Sequence, residues 1–254
     1  MNHPEQQLRM LLTNGWWQHL DAFSDIALAS APDSSLAIAS KGFASLRRGK
    51  TDEALALFHD SLAIDATDVA ARTGLFNLHY QDANFPKADE IIMGLLRDLP
   101  HEPALHAARC RLYAIFDTRK RTDEALREGL QLHPQDRELR TVELYHAYHG
   151  SDEQKKIALS LKLLQLDPEN LIAHVILGST CLKERDFDNA QHHLKTCMAI
   201  APSEDTARML EVLEASRSGK GSWRLAVWAY RQKLLKRLFP KYYRRKRVKI
   251  RWDH

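Results

Sequence analysis

Apolar residues along this chain gather into short runs that end on a proline. Ile26-Ala-Leu-Ala-Ser-Ala-Pro32, Gly129-Leu-Gln-Leu-His-Pro134, Leu163-Leu-Gln-Leu-Asp-Pro168 and Cys197-Met-Ala-Ile-Ala-Pro202 share this form. Proline lacks a backbone donor and pushes its predecessor out of helical space, so each run predicts the end of a helix. Pro32, Pro100, Pro134, Pro168 and Pro202 fall on one 34-residue register, and Ala66 occupies the single slot without proline. A stop at that interval leaves room for two short helices and two turns per unit.

Other positions follow the same register. Gly15 and Gly49 share the slot where the first helix of a unit should end, a left-handed cap position. Ala83, Asp117, Ser151 and Arg185 fill that slot in the other units. Gly42 and Gly178 share a place inside the first helix, and Ala54, Ala88 and Ala190 share one in the second, where a small side chain admits a neighbouring helix. Aromatics recur just after the turn, at Trp17, Phe85 and Phe187.

On these residues the sequence resembles the tetratricopeptide repeat family, whose 34-residue unit is a helix–turn–helix. That unit has small residues at its eighth, twentieth and twenty-seventh places and Pro at its thirty-second. Leu171–Glu204 matches best, with Leu177, Gly178, Phe187, Ala190, Cys197 and Pro202 in register. The resemblance implies an all-α, right-handed α-solenoid of six units, 1–34, 35–68, 69–102, 103–136, 137–170 and 171–204. A helix over about 205–216 is expected to cap the open end, since a terminal repeat must hide its apolar face. The solenoid then fills 1–218 and a tail follows over 219–254. Two units depart from the pattern, with Thr122 and Lys156 where Ala is expected. In the first of these, the Thr122-Asp-Glu-Ala-Leu start predicts a turn displaced by about one helical turn.

Charge divides the chain in the same way. Residues 1–219 hold 24 basic and 32 acidic side chains, whereas 220–254 hold 13 basic and one acidic. An acidic body therefore carries a strongly basic tail, with Ser216–Ser222 of linker composition between them. The tail also holds seven of the 20 aromatic residues. Ser222–Phe239 reads as a helix stopped by Pro240, with Trp223, Val227, Tyr230, Leu234 and Leu238 as an apolar stripe. A basic run follows over Lys241–Arg251.

Candidate chemistry is mostly absorbed by the repeat. Ala44-Ser-Leu-Arg-Arg-Gly49-Lys50-Thr51 fits a relaxed phosphate-loop pattern, but its context is a helix and the turn of a unit, not a strand opening into a helix. The three cysteines form no C-x-x-C pair and fall on packing places, Cys110 at the eighth, Cys181 at the eleventh and Cys197 at the twenty-seventh. Cys181 and Cys197 lie in facing helices of one unit, near enough for an adventitious disulfide. The thirteen histidines scatter; His146/His149 and His192/His193 find no third convergent ligand. No catalytic residues, metal or cofactor are expected. Unpaired cysteines, no apolar run of membrane-spanning length and no secretory leader point to the cytoplasm.

Two surfaces remain for function. In the resembled family the first helices line a concave groove through places two, five, nine, twelve and thirteen. Carried over, these give an apolar and aromatic groove with Phe43, Tyr80, Tyr145 and Tyr148 as anchors and Arg47, Asn77, Arg111 and Lys183 as polar groups. Some of these aromatics have packing between units as their alternative role. The chaperone-tail carboxylate clamp of some members is not expected, because Thr73 stands where its Lys is needed and Ala108 where its next Asn is needed. The second surface is the tail, through Trp223, Trp228, Tyr230, Arg231, Lys236, Arg237, Arg244, Arg245, Lys246 and Arg247. Aromatics interleaved with cations suit an anionic membrane face, at roughly 1 kcal/mol per basic residue. Nucleic acid and an acidic protein are the alternative partners of the tail. The expected activity is a protein-binding scaffold or adaptor, with a partner peptide or helix in the groove.

Overall fold

The computed structural model describes residues 3–14, 16–148 and 150–217. Among them are thirteen helices and no strand: α1 (His3–Asn14), α2 (Trp17–Ser30), α3 (Ser35–Arg47), α4 (Thr51–Ile64), α5 (Val69–Gln81), α6 (Phe85–Asp98), α7 (Pro103–Phe116), α8 (Arg119–Leu132), α9 (Arg137–Tyr148), α10 (Glu153–Leu166), α11 (Leu171–Glu184), α12 (Phe187–Ile200) and α13 (Glu204–Arg217). The fold class is the all-α solenoid of paired helices that the register predicts. The tail from 219 onward lies outside the described residues.

Helix starts follow the register closely. First helices begin at Ser35, Val69, Pro103, Arg137 and Leu171, each the opening residue of its unit. The residue before them is a cap in four cases. Ser34, Asp68, Asp136 and Asn170 accept hydrogen bonds from the backbone N–H of Ala37, Ala71, Leu139 and Ala173 at 3.4, 2.9, 2.8 and 3.2 Å. Such a cap is worth about 1 kcal/mol. Glu102 makes no cap; Pro103 follows it at the first helical position, where a missing donor costs nothing.

Second helices begin at Trp17, Thr51, Phe85, Arg119, Glu153 and Phe187, the seventeenth place of every unit. The displaced turn expected before Thr122 is therefore absent. The Thr118 hydroxyl accepts from the Arg121 N–H at 3.3 Å and opens α8 at the regular place. Thr122 is instead buried, and its hydroxyl donates to the Thr118 carbonyl at 3.2 Å. The left-handed turn recurs without needing glycine: Gly49, Ala83 and Arg185 have φ of 77°, 58° and 63°.

Three of the five proline corners share a clamp. At the fourth place of the next unit a side chain donates back to the proline carbonyl. His106 Nε2 reaches Pro100 O at 2.8 Å and His174 Nε2 reaches Pro168 O at 2.8 Å. Arg140 bonds Pro134 O through Nε and Nη2 at 2.9 and 2.7 Å. At Ala66, the slot without proline, the equivalent Arg72 turns instead to Asp98.

The helices group into two compact units that divide after Ala125. In the first, each helix from α1 to α6 packs on its successor, and α1 with α3 and α3 with α5 lie side by side. Its core centres on Phe58, which is fully buried and edge-on to Phe43 at 5.2 Å. Phe58 fits only because α3 and α5 offer glycine: a Cβ on Gly42 would come within 2.7 Å of its ring, and one on Gly74 within 2.3 Å. In the second unit α9 to α13 pack in the same sequential way, around Leu144, Leu163, Ile176, Leu194 and Leu213. Met209 and Leu213 of α13 lie in one cluster with Leu194 and Cys197 of α12, as a capping helix should.

Candidate functional site

In the first unit the exposed and half-buried face of the first helices is built by α3, α5 and α7. Small side chains at Ala70, Thr73, Ala104 and Ala114 leave it open. Asn77 and Tyr80 of α5 are half-buried, and Arg47 and Arg111 are exposed. Tyr80 stacks on Phe76 at 5.8 Å and meets Phe85 edge-on at 6.4 Å; Phe85 stacks in turn on Phe116 at 5.3 Å. Burial pushes the Tyr80 phenol up from its ordinary value, while the nearby charge of Arg111 works the other way. Tyr80 thus lies within electrostatic reach of Arg111. Phe43 does not join them. It is 7% exposed and belongs to the core around Phe58, so its ring serves packing.

In the second unit Tyr145 is 6% exposed and also presents little surface. Tyr148 is half-buried beneath Lys156, whose ammonium lies 5.8 Å from the ring centre. Lys183 is exposed and bonds Glu153 Oε1 at 3.1 Å. Lys156 reaches the same oxygen at 3.2 Å. Burial works against a charged Glu153, but the hydrogen bonds from Lys183 and Lys156 outweigh it and hold the carboxyl below its usual range. Lys156, at a place meant for Ala, is only 4% exposed, so this carboxylate is what makes a lysine tolerable there.

Two arrangements carry no register signal. Tyr113 donates to Asp89 at 2.9 Å and accepts from Arg121 at 2.8 Å, with the guanidinium 4.3 Å over its ring. Burial, then the carboxylate beside it, pushes its phenol up to about 12. The other is His174 and His193, whose Nδ1 atoms lie 2.9 Å apart. Because the Pro168 carbonyl can only accept, His174 carries its proton on Nε2, and His193 Nδ1 is the donor of the pair. In addition, α1 and α2 enclose an open apolar hollow of about 470 Å³ lined by Met10, Leu11, Trp16 and Phe23, with Gln18 and His19 as its polar members.

Among the described residues no group of three or more His, Cys, Asp or Glu is placed to hold a metal. Nor is any helix among them long and apolar enough to cross a membrane. Gly49 and Lys50, of the phosphate-loop-like run, lie in the turn between α3 and α4. No disulfide joins Cys110, Cys181 and Cys197; burial pushes the Cys197 thiol up to about 12, and Cys181 is raised chiefly by the same cause. The tail residues from Trp223 to Arg247 fall outside the described residues, as does His149.

Comparison with known proteins agrees with this architecture. Residues 45–112 match the family model described as Tetratricopeptide repeat. No curated protein matches the chain. Among solved structures, the Cut9–Hcn1 hetero-tetramer of APC/C aligns over 94% of this chain with a TM-score of 0.70 and 16% identity. This chain spans 46% of that one. PilF of Pseudomonas aeruginosa aligns over 85% of this chain and 97% of its own, with a TM-score of 0.64 and 17% identity. YrrB, titled a TPR protein with an unusual peptide-binding site, aligns over 74% of this chain and 97% of its own, at 0.50 and 15%. These likenesses show the fold.

Proposed function

We infer, starting from a chain built of tetratricopeptide repeats, that it is a non-enzymatic scaffold holding a peptide or helix of a protein partner against its first helices. The observation that carries this reading is the aromatic run Tyr80–Phe85–Phe116 beside exposed Arg111, on a face kept open by Ala and Thr. Tyr and Arg bury much area at low entropic cost and dominate interface energies. Asn77 adds an amide able to bond a peptide backbone. Selection of peptides on the full chain from a displayed library, followed by fluorescence anisotropy, tests this. Tyr80→Ala is expected to weaken a selected peptide about tenfold or more, roughly 1.4 kcal/mol. Unchanged affinity in a variant with an unchanged melting temperature would remove this face as the site.

The tail serves to locate the complex at an anionic membrane surface. Its support is compositional: Trp223, Trp228 and Tyr230 interleave with Arg231, Lys236 and Arg237 ahead of the run Arg244–Arg247. The full chain is expected to bind anionic vesicles, and the variant with Arg244, Arg245, Lys246 and Arg247 all changed to Gln to bind them far less. Binding of single-stranded nucleic acid with a steep salt slope, and none to vesicles, would replace the membrane by nucleic acid.

A further inference from the structure

Later repeats cover a stripe of their first helix that the first repeat leaves bare. At the sixth place Ser40, Gly74, Ala108 and Ile176 are buried, and at the tenth Ala44, Leu78, Leu112 and Thr180. What lies against these helices is the second helix of the repeat before: α2 packs on α3, α4 on α5, α6 on α7 and α10 on α11. Gly74 shows the contact directly, since a Cβ there would meet the Phe58 ring of α4 at 2.3 Å. On α1 the same two places are Gln6 and Met10, and both are exposed, Met10 by 48%. Among the described residues no helix precedes α1 to cover them. Met10 also lines the apolar hollow of about 470 Å³ at α1 and α2, together with Trp16, which is 51% exposed.

We propose that this edge is a self-association surface, on which a second copy of the chain lays the same edge to form a two-fold dimer. The contact continues the interface between repeats: helix against helix, over apolar side chains. Charge admits an identical edge. Met10, Leu11, Trp16, Gln18, His19 and Phe23, which line the hollow, include no Asp, Glu, Lys or Arg. The carboxylates of α2, Asp21 and Asp25, pair within the chain with Arg48 and Lys41. Two copies therefore meet without opposing like charges in the hollow, and the gain is burial of exposed apolar area. The last helix supplies the second argument. On α13 Met209 and Leu213 are buried while Glu204, Arg208, Glu211 and Glu214 are exposed, the polar outer face that closes an array. Head-to-tail growth needs complementary apolar surfaces on two different parts of the chain. With α13 polar, pairing of like edges is the arrangement that closes, and it closes at two.

Analytical ultracentrifugation of the full chain, from about 1 to about 100 μM, tests this. The mean mass is expected to rise from one chain toward two and to stop there. Met10→Glu and Trp16→Ser each change an exposed side chain, and each should raise the dissociation constant about tenfold or more. Their melting temperatures at the lowest concentration should match the parent's. Leu161→Glu changes a similarly exposed apolar residue on α10, 51% exposed, and should leave the dimer as it is. A dimer that survives both edge variants, or that Leu161→Glu weakens as much, would overturn the proposal, as would a mass that grows past two chains. A chain that stays monomeric throughout overturns it as well. Binding of that monomer to zwitterionic vesicles, or to helical peptides, that Met10→Glu abolishes would then give the edge to a lipid surface or to another protein.

Discussion

Phe58 shows how little freedom a single position has. Its ring fills the space that Gly42 and Gly74 leave empty, on two different helices. A Cβ on Gly74 would press three ring atoms between 2.3 and 2.6 Å away, and a buried ring has no room to withdraw. Gly74→Ala is therefore expected to cost about 3 kcal/mol, the upper range of overpacking, with Phe58→Leu partly restoring the melting temperature. A Gly74→Ala protein as stable as the parent would show that the ring is not confined. Ala66 makes the converse case. The residue before it, Asp65, has φ −132° and ψ 99°. Ala31, Asp167 and Ala201, each ahead of a register proline, have nearly the same backbone, with φ of −144°, −143° and −144°. Ala66→Pro should thus fit without strain and stabilise by about 0.4–1 kcal/mol, chiefly by restricting the unfolded chain. Urea unfolding measures it, and a loss of stability would contradict the shared geometry. The glycine at place eight was legible as a packing position. Gly74 was not, because no other unit repeats it.

At the scale of helices, boundaries were readable because each rests on a local cause: a proline, a polar cap or a left-handed turn. The expected displacement before Thr122 failed because Thr-Asp-Glu-Ala-Leu also reads as the interior of a helix already opened by Thr118. Pairs between helices were much harder to read. Lys156 reads as a departure from the repeat until it is placed, with Lys183, around the Glu153 carboxylate that both lysines bond. The joint between α11 and α12 was invisible, since His174 and His193 sit 19 residues apart at places that do not recur together. That joint has a pH consequence. Burial, then the neighbouring His174 and His192, outweigh the opposing Asp186 and push His193 down to about 4. Its folded value lies below the unfolded one of about 6.5, so the folded state favours the neutral ring. The stability it contributes is complete above about pH 6.5 and is lost as pH falls toward 4. His193→Gln should flatten the fall in melting temperature across that window relative to the parent. Parallel curves would show that His193 does not titrate with unfolding.

Over the whole molecule, packing is sequential within each of the two units, so the energetics of a repeat array apply. Damage at one place should stay near it. Phe58→Ala removes about 3–5 kcal/mol of packing from the first unit, and amide exchange is expected to speed across α3, α4 and α5 while α11 to α13 keep their protection. A uniform loss of protection would mean that the chain unfolds as one body. Charge at this scale was legible from composition alone, as an acidic body ahead of a basic tail. The proline clamp has a last consequence, for biosynthesis. His106, Arg140 and His174 each close on a carbonyl only six residues earlier in the chain. A ribosome delivers such a stretch in about a second or less. Each corner can therefore set as it leaves the exit tunnel, and the nascent protein need not wait for its C-terminus before taking shape.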